Sequence, residues 1–218
     1  MYMDFKELKD SIKLLLTDKD IDRIVELSRT NKRVTSALTA FSYEKDSELS
    51  WRAIGAVGRI IGSMPHEEGR KQVRRLLWNA TDESGTVPWG VPEILGEVIC
   101  TNPEPFEDIV PILIGYSHSE TEDNIFLPGV IYALGRIGQE HPRYISSFAE
   151  IIIRNSLGHK ETQVCANACI AVKRLGLTDV NMDKLRKRTD IATVFYQDRL
   201  MSLPIGELVA LLEADTNG

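Results

Sequence analysis

Apolar residues recur along this chain at helical spacing, and the spacing itself recurs. Residues 49–60, 87–98, 126–137 and 164–175 align without gaps, with starts 38, 39 and 38 residues apart. Counting the first residue of each as zero, positions +4, +7, +8 and +11 hold Ala53, Ala56, Val57 and Ile60; Val91, Ile94, Leu95 and Val98; Val130, Ala133, Leu134 and Ile137; and Ala168, Ala171, Val172 and Leu175. All are apolar. At about 100° per residue they fall within an arc of about 100°, the stripe that an amphipathic helix buries. A strand, with its period of two, does not generate this pattern.

Between these segments lie further apolar runs compatible with helix, at residues 34–41, 73–78, 106–114 and 145–153. Each period therefore predicts a helical hairpin, with turn chemistry at Pro65, at Asn102 and Pro103, at Gly138 to Pro142 and at Gly176 to Asp179. The expected architecture is all-α, an α-α superhelix or short α-solenoid, in one domain spanning 1–218. Residues 1–31 are expected as amino-terminal capping helices, 32–176 as four hairpins and 177–218 as carboxy-terminal capping helices. The last are expected as a helical pair between Leu185 and Leu212, interrupted before Pro204.

Three of the segments carry Ala-Val-Gly-Arg-Ile (56–60), Ala-Leu-Gly-Arg-Ile-Gly (133–138) and Ala-Val-Lys-Arg-Leu-Gly (171–176). These resemble the Ala-Leu-Gly signature of HEAT-like repeats, also called phycobilisome-lyase-like or E-Z repeats. The stretch 77–93 further resembles a small group of bacterial single-domain proteins of that type. The resemblance implies an armadillo-like helical array and leaves activity open, because such arrays serve as scaffolds, regulators, bilin-lyase subunits and DNA glycosylases.

With the stripe buried, positions +2, +3, +6, +9 and +10 are expected to face solvent, on the concave side that second helices usually line. They hold Trp51, Arg52, Gly55, Gly58 and Arg59; Trp89, Gly90, Glu93, Gly96 and Glu97; Pro128, Gly129, Tyr132, Gly135 and Arg136; and Ala166, Asn167, Ile170, Lys173 and Arg174. Aromatic rings and guanidiniums are common anchors of binding surfaces. The candidate partner-binding groove is thus Trp51, Arg52, Arg59, Trp89, Glu93, Glu97, Tyr132, Arg136, Asn167 and Arg174. Two other roles stay open. The arginines at +10 also suit a structural ladder between hairpins, and the glycines at +9, each costing about 1 kcal/mol against Ala, suit either close helix approach or a bare groove floor.

Charge narrows the partners. The 26 Lys and Arg against 32 Asp and Glu leave the chain at −6, which argues against a nucleic-acid partner. Yet the face named above carries Arg52, Arg59, Arg136, Lys173 and Arg174 against Glu93 and Glu97, so an acidic ligand suits it. No apolar run reaches membrane-spanning length, the charged opening residues lead to the expectation of no leader, and the three cysteines suggest no disulfide framework. A cytoplasmic protein is expected.

Catalytic constellations are sparse. There is no phosphate-binding Gly-rich loop, dinucleotide fingerprint or nucleophile elbow. Cys165, Cys169 and His159 fall on neighbouring turns without a second metal-binding pair, so no metal and no cofactor is expected. Glu93 and Glu97, one turn apart, are the one carboxylate pair placed for acid/base work. The loop from Asn79 to Gly90 suits either function or simple turn formation, and Trp78 and Trp89 are placed to pack across it. The function expected is a non-enzymatic scaffold binding a protein or peptide. The alternative is an enzyme or enzyme subunit on the same scaffold, bilin-lyase-like or glycosylase-like. Self-association through the terminal helices is also open, since the ends of a helical stack must be covered.

Overall fold

The computed structural model describes residues 4–81, 90–118 and 124–215. The chain divides into two compact units, Met1–Phe106 and Glu107–Gly218.

In the first unit α1 (Phe5–Thr17) opens with a capping box, in which Asp4 and Glu7 satisfy each other's amide ends. Lys19, at φ 61°, turns the chain into α2 (Ile21–Thr30), capped by Asp20. Next come α3 (Arg33–Phe41), α4 (Glu48–Gly62, capped by Ser47), α5 (His66–Thr81) and α6 (Val91–Thr101, with Pro92 in its first turn), and then a short 3-10 turn at Glu104–Phe106. The helix α4 is the hub. It packs against α2, α3 and α6 and buries Trp51, Ile54, Val57, Ile60 and Ile61 around most of its circumference. Each large aliphatic chain so buried is worth about 1.5–3 kcal/mol.

The second unit runs through α7 (Ile109–Gly115), a 3-10 turn at Tyr116–His118, α8 (Leu127–Glu140), a 3-10 turn at Pro142–Tyr144, α9 (Ser147–Ser156, capped by Ser146) and α10 (Thr162–Leu175). Gly176, left-handed at φ 65°, ends α10, and the Leu177 amide donates back to the Val172 carbonyl as in a Schellman cap. The paired helices fall where the repeat places them, and the protein is a helical-repeat protein. Within each unit the second helices of successive hairpins lie side by side, α4 on α6 and α8 on α10.

Glycine makes that contact possible. A Cβ on Gly135 would lie 2.9 Å from both Cα and Cβ of Ala171, and one on Gly58 would overlap Glu97 Cβ. The glycines at +9 therefore serve close helix approach at these two positions, and the groove-floor role is overturned there. Their lost helix propensity is offset by the packing it allows.

The carboxy-terminal expectation is corrected. In place of a helical pair, residues after the 3-10 turn Leu185–Lys187 form a two-stranded antiparallel hairpin, β1 (Ile191–Tyr196) and β2 (Arg199–Pro204), followed by the single helix α11 (Ile205–Ala214). Gln197 and Asp198, at φ 48° and 60°, form the two-residue turn whose twist matches that of paired strands. Ala192, Val194 and Tyr196 are buried, and β1 packs against α10.

Candidate functional site

The face predicted to be open is largely occupied. Trp51, Tyr132, Glu93 and Asn167 are 6%, 7%, 1% and 6% exposed, so their expected role as exposed anchors is corrected to one in packing. Trp89 lies outside the described residues. Arg52, Glu97, Arg136 and Arg174 are half-buried, and Arg59 is exposed.

Each buried polar group has a definite task. The Trp51 indole N–H donates to the Lys45 carbonyl at 3.3 Å and so fixes the loop between α3 and α4. That loop aims Lys45 Nζ at Glu93 Oε1, 2.6 Å away, in the first turn of α6, where the helix dipole also favours a carboxylate. Glu93 Oε2 is buried without a hydrogen-bond partner among the described residues. Glu93 and Glu97 are thus not an equivalent pair: Glu93 is 1% exposed and bound to Lys45, while Glu97 abuts Gly58 of α4. In the second unit Asn167 Nδ2 donates to the Pro128 carbonyl at 2.8 Å, tying α10 to the first turn of α8.

The guanidiniums divide by surroundings. Arg52 donates to the Leu16 carbonyl at the end of α1 and pairs with Glu48 at 2.7 Å. Arg59 reaches Asp22 of α2 at 2.7 Å, the ladder-like pairing expected of a +10 arginine, but both groups are exposed and such a pair contributes little stability. Arg136 meets Glu140 on its own helix at 3.2 Å. Arg174, from α10, lies over the ring of Tyr132 on α8 at 5.2 Å and 6.0 Å from the ring centre of Tyr196 at the end of β1. These cation–π contacts hold the guanidinium in one place. Burial, reinforced by the nearby Asp215 carboxylate, pushes the Tyr196 phenol above its ordinary range, so that ring stays neutral.

The cysteines and histidine do not assemble a metal site. Cys165 Sγ donates to the Leu157 carbonyl at 3.1 Å, and His159 Nδ1 accepts from the Glu161 amide at 3.1 Å. The hydrogen bond to Cys165, together with burial, pushes the Cys169 thiol up, away from a reactive thiolate. Among the described residues no cluster of His, Cys, Asp or Glu is placed to hold a metal ion, and no helix is long and apolar enough to cross a membrane.

One apolar patch carries no mark in the repeat pattern. Phe148 and Ile151 of α9, 47% and 50% exposed, stand off the buried stripe of that helix, and the His118 ring stacks on Phe148 at 5.5 Å. Their i, i+3 spacing was the available signal, masked by the adjacent apolar residues Ala149, Ile152 and Ile153 of the buried stripe. Trp78 is 69% exposed, and the pairing expected between it and Trp89 falls outside the described residues.

No family model and no curated protein matches the chain. A solved structure of a computationally designed armadillo repeat protein for modular peptide recognition is similar, covering 98% of this chain and 94% of its own length with 15% identity and a TM-score of 0.45. A likeness this distant does not transfer the peptide recognition to this chain.

Proposed function

We propose that this protein is a non-enzymatic scaffold of the HEAT-like repeat type that binds an acidic protein segment, and that α8 and α10 carry the binding surface. The observation behind this reading is the placement of Arg174. It spans from α10 to Tyr132 on α8, so one cation is fixed across the seam between two adjacent second helices. Lys173 of α10 and Arg136 of α8, the latter shared with Glu140 of its own helix, add positive charge to the same two helices, in a chain whose net charge is −6. A local field opposite in sign to the whole molecule selects for carboxylate-rich segments and steers them to one place. A held guanidinium also loses less side-chain entropy on binding than a free one.

Tyr132 serves this surface from beneath, by packing, and Trp51, Arg52 and Glu93 belong to the framework of the first unit. Selection from a random peptide display library tests the reading. Enriched sequences are expected to be rich in Asp and Glu, and to be lost against the Arg136→Glu/Lys173→Glu variant. Enrichment of basic or purely apolar sequences, or enrichment unchanged by the variant, contradicts it.

A further inference from the structure

The carboxy-terminal hairpin has two outer edges, and the sequence treats them differently. Strand β2 begins with Arg199 and ends with Pro204, a charge and a residue without an N–H, both familiar means of blunting a sheet edge. Strand β1 reads Ile-Ala-Thr-Val-Phe-Tyr, with no charge and no proline. Among the described residues, β2 is its sole strand neighbour. Ile191 is 66% exposed and Thr193 is exposed.

The register fixes which main-chain groups turn outward. Next to a two-residue turn the flanking pair, Tyr196 with Arg199, exchanges hydrogen bonds. Alternation then assigns hydrogen-bonded pairs to Val194 with Met201 and Ala192 with Leu203, while Thr193 with Ser202 and Ile191 with Pro204 are non-hydrogen-bonded pairs. The N–H and C=O groups of Ile191 and Thr193 therefore point away from β2. Their side chains share the face opposite the buried Ala192, Val194 and Tyr196.

We propose that this edge pairs with β1 of a second copy of the chain, joining two hairpins into one four-stranded antiparallel sheet. A two-fold axis beside Thr193 makes the edge self-complementary, as a closed dimer requires. Thr193 then exchanges hydrogen bonds with Thr193 of the second copy, and Ile191 lies across from the second copy's Phe195, an aromatic and β-branched pair. Like charges face each other nowhere along residues 191–196. Because β2 is blunted, pairing stops at two copies and does not propagate into a fibre. This inference uses none of the residues assigned to the acidic segment and stands apart from that reading.

Analytical ultracentrifugation of the full chain, from about 1 µM to about 1 mM to span weak and moderate affinities, tests it. The wild type is expected to pass from monomer to a saturating dimer, with Thr193 amide exchange slowing as dimer forms. Ile191→Lys alters an exposed side chain and Thr193→Pro removes an outward N–H; both are expected to remain monomeric, with Ile191→Lys keeping the wild-type circular dichroism even if the proline is not tolerated. A wild type that stays monomeric throughout, or dimers that survive Ile191→Lys undiminished, would overturn the proposal.

Discussion

Two glycines on equivalent second helices separate close approach from mere flexibility. Gly135→Ala sets a methyl 2.9 Å from the backbone of Ala171, whereas a methyl on Gly55 meets nothing within 4 Å. Gly135→Ala is expected to cost about 1–3 kcal/mol through overpacking, despite better helix propensity. Gly55→Ala is expected to gain about 0.5–1 kcal/mol. Urea unfolding of the two variants checks both signs. The buried pair Lys45 and Glu93 offers a second test at this scale. Lys45→Met strands a carboxylate that is 1% exposed and is expected to cost about 1–3 kcal/mol, with Glu93→Gln in the same chain restoring part of the loss. Additive costs in that double-mutant cycle would refute the coupling. The buried stripe at +4, +7, +8 and +11 was legible residue by residue, since all of its members are buried or nearly so in the four second helices. Trp51, Tyr132 and Glu93 were not. A second helix flanked by its own partner and by a neighbouring second helix is covered over much more than one stripe, so positions that an isolated amphipathic helix would expose are interior here.

The helical hairpins could be read from periodicity and turn residues because each helix is long enough to show its period. The β-hairpin could not. Six-residue apolar runs are ambiguous between strand and buried helix, the turn Gln197-Asp198 lacks the glycine that usually marks such a loop, and Pro204 resembles a helix break when it in fact ends a strand. What anchors this element is chemical. Asp190, just before β1, receives Arg188 Nε at 2.9 Å and the Thr162 hydroxyl of α10 at 2.9 Å. The Arg188 guanidinium holds the Asp190 carboxyl down at about 2. A carboxyl depressed in the folded state stabilises it fully above its unfolded value, and that contribution disappears as pH falls through the folded value. Asp190→Asn is therefore expected to lower Tm by a constant margin above pH about 5, with the margin closing between pH about 4 and about 2. Thermal melts across that range check it, and a margin that persists at pH about 2 would show that the carboxylate charge is not the anchor.

Over the molecule the chain carries −6, yet α8 and α10 carry Arg136, Lys173 and Arg174, the first paired with Glu140 and the last held over Tyr132. This contrast was visible in the sequence as a column of cations at repeat positions, but the sequence did not distinguish the guanidiniums that serve the framework from those presented to a partner. Arg52 closes the end of α1, Arg59 meets Asp22 and Arg136 meets Glu140, while Arg174 lies over the Tyr132 ring. The proposed function requires that the cations of α8 and α10 receive carboxylates. Fluorescence anisotropy of a labelled oligo-glutamate peptide, titrated with wild type and with Arg136→Glu/Lys173→Glu, tests it most directly. Saturable binding that weakens with salt and drops at least about tenfold in the variant is predicted. Failure of the wild type to bind at low salt, or equal affinity in the charge-reversed variant with unchanged circular dichroism, would contradict it.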